Sequence, residues 1–159
     1  MSGKGAPIVG GTDGTGLDVV IVAGTWHEVI TDGLIAGALR AIDECGATGR
    51  LVRVPGSFEL PVAAKTALEA GADAVVALGV IIRGGTPHFD FVSAAATDGL
   101  TRVALDTGKP VGFGVLTLDN EIQGLARAGL QGSEEDKGFE AADAAIRTAL
   151  ILKALRQAQ

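Results

Sequence analysis

The chain has 159 residues, of which 47% are hydrophobic, with a formal net charge of −6 and a single cysteine, Cys45. This length fits one domain with a substantial core, and no apolar run approaches the roughly 20 residues that span a bilayer. The negative charge argues against non-specific nucleic-acid binding, and one cysteine excludes an intramolecular disulfide and a cysteine metal cluster.

The N-terminal segment, residues 1–16, is rich in glycine, which predicts a flexible arm. It contains no apolar signal core, so a reducing cytoplasm is the expected location. Residues 17–159 contain no internal repeat and no low-complexity block. We therefore predict that they form a single domain.

Apolar runs and helical spacings alternate along this domain. Residues 17–23 (LDVVIVA) predict a first buried strand, and residues 28–45 carry apolar side chains at three- and four-residue spacings, which is typical of an amphipathic helix. A second strand is predicted at residues 50–54 and a short Ala-rich helix at residues 59–70. Residues 74–82 (AVVALGVII) predict a third strand that is buried on both faces.

The same alternation continues to the end of the chain. A helix is predicted at residues 88–105, a fourth strand at residues 111–118, and two final helices at residues 120–128 and 137–158. Strands that alternate with helices indicate an α/β fold with a parallel sheet, helices on both faces and right-handed crossovers. Four strands with the third in a central position favour a flavodoxin-like three-layer α/β/α sandwich around a four-stranded parallel sheet.

Glycine, polar and aromatic residues follow each predicted strand. In parallel sheets of this class, ligands bind beyond the carboxyl ends of the strands. Four segments fall at that edge: residues 24–27, 56–59, 83–88 and 117–120. The sequence therefore predicts a ligand site there.

The turn after the third strand has the composition of an anion site. Gly84 and Gly85 permit a tight turn and close approach of the backbone to a ligand. Thr86 is the predicted N-cap of the next helix, and Pro87 suits its first position. The free N–H groups and the positive dipole end of a helix attract anions. An ordinary strand-to-helix turn is the alternative, since the Gly-Lys-Ser/Thr ending of a Walker loop is absent.

His88 is the candidate for proton transfer. On the first turn of the helix, the dipole favours its neutral imidazole, which can accept a proton near pH 7 and pass it on. The alternative is a structural histidine that starts the helix and bonds to a carbonyl, and the sequence alone does not distinguish the two roles. His27 is the competing candidate, but no signature of an anion site accompanies it. A phosphate-binding turn beside an imidazole predicts an enzyme that acts on a small phosphorylated substrate.

Three side chains at the same edge could contact a ligand. Trp26 and Phe58 directly follow the first two strands, where an aromatic ring can stack on a heterocycle or pack in the core. Glu59 lies in a predicted first helical turn, where it either caps the helix or faces the cleft. Phe113 lies in the middle of the fourth strand, and its position alone predicts a core residue.

Two cations near the end of the chain have no obvious role by themselves. Arg127 and Lys137 fall on predicted helices, where a charged side chain is most often solvated. Lys137 follows an acidic run, Glu134 to Asp136, at a predicted helix start, where a lysine is disfavoured by the dipole.

Taken together, these residues resemble the lumazine synthase family. The resemblance extends from about Leu17 to the C-terminus. It is carried by six blocks in the family's order: residues 26–27, 55–61, 77–91, 113–117, 127–129 and 136–138.

The resemblance implies a reaction and its site. The family condenses 5-amino-6-(D-ribitylamino)uracil with 3,4-dihydroxy-2-butanone 4-phosphate to 6,7-dimethyl-8-ribityllumazine, phosphate and water, and the resemblance implies no metal and no organic cofactor. His88 matches the proton-transfer histidine, and Gly85, Thr86 and Arg127 match the phosphate contacts. The positions that match the pyrimidine and ribityl contacts are Trp26, Ser57, Phe58, Glu59, Val80, Ile81, Ile82, Phe113 and Lys137.

The resemblance also implies a homo-oligomer with active sites at its subunit interfaces. Phe113, Arg127 and Lys137 match residues that a neighbouring subunit contributes. The loop at residues 131–136 lacks the Gly-Asn-Lys-Gly form of capsid-forming members, which favours a free pentamer over a 60-subunit shell; a decamer is a further alternative. Riboflavin synthase is a candidate partner, whereas neither a nucleic acid nor a membrane is expected as one.

Two other functions are compatible with the same fold. An archaeal-type riboflavin synthase would consume the lumazine that the first reaction forms, but the Gly-Gly-Thr-Pro-His turn matches the lumazine synthases. A non-catalytic flavin-binding or scaffold oligomer would bind riboflavin tightly without turnover. The presence of His88 and of both phosphate-contacting elements favours the enzyme.

Overall fold

The computed structural model describes Gly5, Pro7 and residues 11–159. The predicted arm, residues 1–16, therefore lies outside the described residues except for Gly5, Pro7 and residues 11–16. In that last stretch Gly14 is buried, and its N–H donates to the carbonyl of Cys45 at 2.7 Å. The backbone just before the first strand thus packs against the end of the first helix.

Four parallel strands form one sheet in the order β2-β1-β3-β4. They are β1 (Asp18–Ala23), β2 (Thr48–Arg53), β3 (Ala74–Ile82) and β4 (Val111–Leu118). The predicted inner position of the third strand is confirmed. Because all strands run in the same direction, their carboxyl ends lie at one edge of the sheet.

Helices cover both faces of the sheet. They are α1 (Glu28–Glu44), α2 (Leu60–Glu69), α3 (His88–Thr107), α4 (Glu121–Leu125) and α5 (Lys137–Gln157), with a single 3-10 turn (Ser57–Glu59) before α2. α1 packs with α5, and α2 packs with α3. The predicted flavodoxin-like three-layer α/β/α sandwich is confirmed. In the described part of the chain, no helix combines the length and apolar character needed to cross a membrane.

Two apolar layers hold the helices to the sheet. One layer joins α1 and α5 to the strands through residues such as Ile21, Leu34 and Ile146, and the other joins α2 and α3 through Val20 and Leu60. Strand β3 is buried along nearly its whole length, as its unbroken apolar sequence predicts. Every residue of the edge strand β2 is exposed in the isolated chain.

The start of α3 differs from the prediction. Pro87 occupies the N-cap position, the helix begins at His88, and no side chain caps it. The prediction that Thr86 is the N-cap is therefore wrong. Pro87 has helical backbone angles (φ −64°, ψ −3°), so its fixed φ makes it the boundary residue and leaves Thr86 one position outside.

The contact between α1 and α5 depends on a glycine. A Cβ atom added at Gly138 would lie 2.0 Å from the carbonyl oxygen of Leu34, inside van der Waals contact. We expect Gly138→Ala to lower the free energy of unfolding by roughly 3 kcal/mol, since backbone atoms must move apart. Chemical denaturation measures this change. Ala144→Ser, on the exposed side of the same helix, is the matched control, and equal stability of both variants would contradict the expectation.

Candidate active site

A cavity of about 660 Å³ opens at the carboxyl edge of the sheet. Loops after β1, β2 and β3 form its walls, together with the first turns of α3. Nine of the predicted site residues line it: Trp26, Ser57, Phe58, Glu59, Val80, Ile81, Ile82, Thr86 and His88. The cavity thus lies at the edge of the sheet where the sequence predicts a ligand site.

Two aromatic rings stand at the mouth of the cavity. Trp26 is 67% exposed and Phe58 is 65% exposed, so neither ring packs in the core. The loop that carries Trp26 is anchored to α1, because the hydroxyl of the buried Thr31 donates to the Trp26 carbonyl at 2.7 Å. Thr25 ties the same loop to the next one, since its hydroxyl donates to the carbonyl of Pro55 at 2.8 Å. The exposed rings can therefore meet a flat ligand without disturbing the core.

The inner wall of the cavity is formed by the end of β3 and the 3-10 turn. Ser57 is buried against the strand, and a Cβ atom added at Gly79 would lie only 2.5 Å from its hydroxyl oxygen. Gly79 therefore allows this close approach. Glu59 ends the 3-10 turn and lines the cavity, where it adds a carboxylate next to Ser57.

The turn predicted to bind an anion lies where β3 passes into α3. Gly84 and Thr86 line the cavity, with Gly85 between them, and His88 begins the helix. The first N–H groups of a helix have no partner within it and carry the positive end of its dipole. These groups and the exposed imidazole of His88 can therefore bind an anion and exchange protons with it.

Sequence reasoning missed several residues of the cavity. Phe89, Phe91 and Val92 line it from the first turns of α3. The spacing of His88, Phe91 and Val92 places them on one helix face, and this signal could have found them. Thr31, which supports the Trp26 loop from outside the cavity, has no such signal. Nothing in the sequence indicates that the hydroxyl of a helical threonine bonds to the carbonyl of a loop residue.

His27 shares the cavity with His88. It is the one non-glycine residue with positive φ among the described residues (φ 54°), at the N-cap position of α1. Its carbonyl accepts the N–H of Thr31 at 2.9 Å, and its ring centroid lies 6.5 Å from that of Trp26. His27 therefore lies beside Trp26, while His88 lines the cavity from the start of α3.

Four predicted site residues are not among those that line this cavity: Gly85, which lies between two residues that do, and Phe113, Arg127 and Lys137. Phe113 is 48% exposed, so the prediction from its position alone, a core residue, is wrong. The physical reason is that β4 lies at the edge of the sheet, where the helices do not cover the side chain of Phe113. Arg127 follows α4, and its guanidinium donates to the carbonyl of Gln123 at 2.8 Å.

Lys137 lies in an acidic environment at the start of α5. Burial alone would lower the pKa of Lys137, but hydrogen bonds to Glu135 and Glu140 (2.8 Å) outweigh it and raise that pKa. The hydrogen bond from Lys137 lowers the pKa of Glu135. Asp136 caps the helix by accepting the N–H of Phe139 at 3.0 Å. These two carboxylates therefore stabilise the charged form of Lys137, whose side chain is largely buried.

The described residues contain no cluster of three or more His, Cys, Asp or Glu side chains that could hold a metal ion. The chemistry available in the cavity is that of two imidazoles, a carboxylate, a helix N-terminus and several aromatic rings. These groups can transfer protons, bind a phosphate and stack on a heterocycle.

Fold and site together define a flavodoxin-like α/β enzyme whose cavity opens at the carboxyl edge of a parallel sheet. The sequence profile of the family described as 6,7-dimethyl-8-ribityllumazine synthase matches residues 16–153. The chain belongs to this family.

Proteins that carry the same name are similar to the chain over nearly its full length. The 6,7-dimethyl-8-ribityllumazine synthase of Leifsonia xyli subsp. xyli is 74% identical over 157 residues, which cover 98% of this chain and 99% of that protein. The one from Clavibacter sepedonicus is 68% identical over 160 residues, covering 99% and 100%. The one from Streptomyces coelicolor is 55% identical over 158 residues, covering 99% and 98%.

Proposed function

We propose that this chain condenses 5-amino-6-(D-ribitylamino)uracil with 3,4-dihydroxy-2-butanone 4-phosphate to form 6,7-dimethyl-8-ribityllumazine, a step of riboflavin biosynthesis. One observation carries the proposal: a single cavity is lined both by exposed aromatic rings and by a helix N-terminus with a histidine. The rings suit a flat pyrimidine, and the helix N-terminus suits a phosphate.

The steps of the reaction match the groups in the cavity. The C5 amine of the pyrimidine adds to the ketone and loses water to give an imine, phosphate then leaves by elimination, and the ring closes with loss of a second water. Each step moves protons, and we assign their transfer to His88. No electrons are gained or lost overall, so the chemistry itself requires no redox cofactor.

Binding roles follow from position in the cavity. We assign the pyrimidine ring to Trp26 and Phe58, and its ribityl chain to the wall formed by Ser57, Glu59 and residues 80–82. Gly85 and Thr86 would hold the phosphate with their backbone N–H groups. Holding both reactants in one cavity can itself lower the barrier by several kcal/mol, because it removes the entropy cost of their encounter.

The residues outside the cavity support a site that is shared between subunits. We propose that a neighbouring copy supplies Phe113, Arg127 and Lys137, with Arg127 at the phosphate. The rim of the cavity is also rich in exposed apolar side chains, including Trp26 and Phe58, and a patch of this kind marks an interaction surface. We favour a homopentamer, with a decamer and a 60-subunit shell as alternatives, and riboflavin synthase as a candidate partner.

A cytoplasmic location is part of the same proposal. Cys45 is a free, buried thiol. Burial and the nearby carboxylate of Asp143 raise the pKa of this thiol, which keeps it protonated and unreactive. A reduced structural cysteine fits a reducing compartment.

Two incubations of the purified oligomer test the proposal. With both substrates, lumazine absorbance and fluorescence should rise faster than in the protein-free control. With lumazine alone, no riboflavin should form. Riboflavin formation would instead identify a riboflavin synthase, and tight riboflavin binding without any turnover would identify a flavin-binding protein.

A further inference from the structure

Arg83 joins three elements around the turn predicted to bind an anion. It follows the last residue of β3, and its backbone N–H donates to the carbonyl of Leu118 at 2.8 Å. Its Nε donates to the carboxylate of Asp119 at 3.1 Å, beyond the end of β4. Its Nη1 lies 3.7 Å from the carboxylate of Asp90, and its guanidinium carbon lies 4.2 Å from the ring centroid of Phe89. One planar group thus ties the ends of β3 and β4 to the first turn of α3.

The segment that Arg83 spans has little support of its own. Residues 84–87 are exposed, and a Cβ atom added at Gly84 or Gly85 would meet no atom within 4 Å. The turn therefore depends on its two ends for its shape. Arg83 is one end, and its side chain contacts Phe89 and Asp90 just past the other end.

The charge of Arg83 is already matched by two carboxylates. A single exposed ion pair contributes little, but the guanidinium here has two acidic partners and an aromatic face. These partners hold the guanidinium beside the turn. Because it is already engaged by them, it is not free to bind a phosphate.

We propose that Arg83 is a positioning residue that holds residues 84–87 in the shape that binds the phosphate of the substrate. The inference rests on the proposed function, because it assigns the turn to that phosphate. Arg83 acts through the backbone of Gly85 and Thr86 and does not itself contact the anion.

Arg83→Gln tests this role. We expect the KM for 3,4-dihydroxy-2-butanone 4-phosphate to rise about tenfold, because the N–H groups of the turn lose their fixed orientation. The KM for the pyrimidine should stay within about a factor of two. General destabilisation of the protein would not raise one KM and leave the other unchanged. Arg102→Gln is the matched control, since Arg102 is an exposed arginine on α3 that pairs with Asp106 at 3.2 Å and does not line the cavity.

A second variant separates positioning from direct contact. Asp119→Ala removes a partner of Arg83 but leaves the arginine in place. If Arg83 acts by position, this variant also raises the KM for the phosphate substrate. If Arg83 binds the phosphate directly, freeing it from Asp119 leaves that KM unchanged or lowers it, and the proposal is overturned. An unchanged KM in Arg83→Gln would overturn it as well.

Binding of inorganic phosphate keeps this test independent of turnover. Isothermal titration calorimetry of the wild-type protein and the three variants should show weaker binding for Arg83→Gln and Asp119→Ala only. If the wild type forms no lumazine but this pattern holds, the proposed function fails while the positioning role stands. If the wild type turns over and all four proteins bind phosphate equally, only the positioning role fails.

Discussion

Replacing His88 by alanine should lower kcat by about 10- to 100-fold, at or below the lower limit of the roughly 100- to 10,000-fold that general acid–base catalysis contributes. The effect is moderate because the imidazole is exposed at the start of α3, so water and buffer can take over part of the proton transfer. The KM values should change little, since the turn and the aromatic rings stay in place. Steady-state assays across several buffer concentrations measure this effect, and added imidazole should restore part of the lost rate.

The second histidine of the cavity provides the comparison. In His27→Asn the new residue tolerates the positive φ of that position, and kcat should fall much less than in His88→Ala. Size-exclusion chromatography should show the same assembly for both variants. A large loss of kcat in His27→Asn with no loss in His88→Ala would identify His27 as the proton-transfer residue and contradict the role assigned to His88.

Arg127→Ala should raise the KM for the phosphate substrate by about 10- to 100-fold, since hydrogen bonds to charged groups contribute about 1.5–3 kcal/mol. The KM for the pyrimidine should change far less. Arg127→Lys keeps the charge but loses the planar fork, so it should recover only part of the affinity. Equal affinity of wild type and Arg127→Ala for the phosphate substrate would place Arg127 outside the site.

Mixed oligomers extend this prediction to the shared site. In an equal mixture of His88→Ala and Arg127→Ala subunits, about a quarter of the interfaces combine an intact cavity with an intact arginine, if each site is formed by two neighbours. Co-refolded subunits should therefore recover about a quarter of the wild-type activity on this arithmetic. No recovery in oligomers proven to contain both variants would show that each site belongs to one subunit.

Strands β3 and β4 could be predicted to the residue, because β3 is an unbroken apolar run between two charged residues and β4 lies between Pro110 and Asp119. Strand β2 was shifted, since Thr48 and Gly49 pair with β1 through the backbone and need no apolar side chain. The 3-10 turn before α2 was not predicted, because its sequence differs little from a helix start. Local sequence thus defines buried elements better than exposed ones.

The cavity was predictable because every strand of a parallel sheet delivers its following residues to one edge. The contacts that shape the loops of the cavity were not predictable from the sequence. Thr31 with the Trp26 carbonyl and Arg83 with Asp119 join residues from different elements, and neither pairing has a periodic pattern in the sequence. The exposure of Phe113 was also unpredictable from its strand alone, because it depends on which strand forms the edge.

The most direct test of the proposed condensation is to count both products in the same reaction. Initial rates of lumazine formation and of inorganic phosphate release, measured together with both substrates present, should be equal and well above the protein-free rate. Phosphate release without lumazine, or lumazine formation no faster than in the protein-free control from a correctly assembled oligomer, would contradict the proposed function.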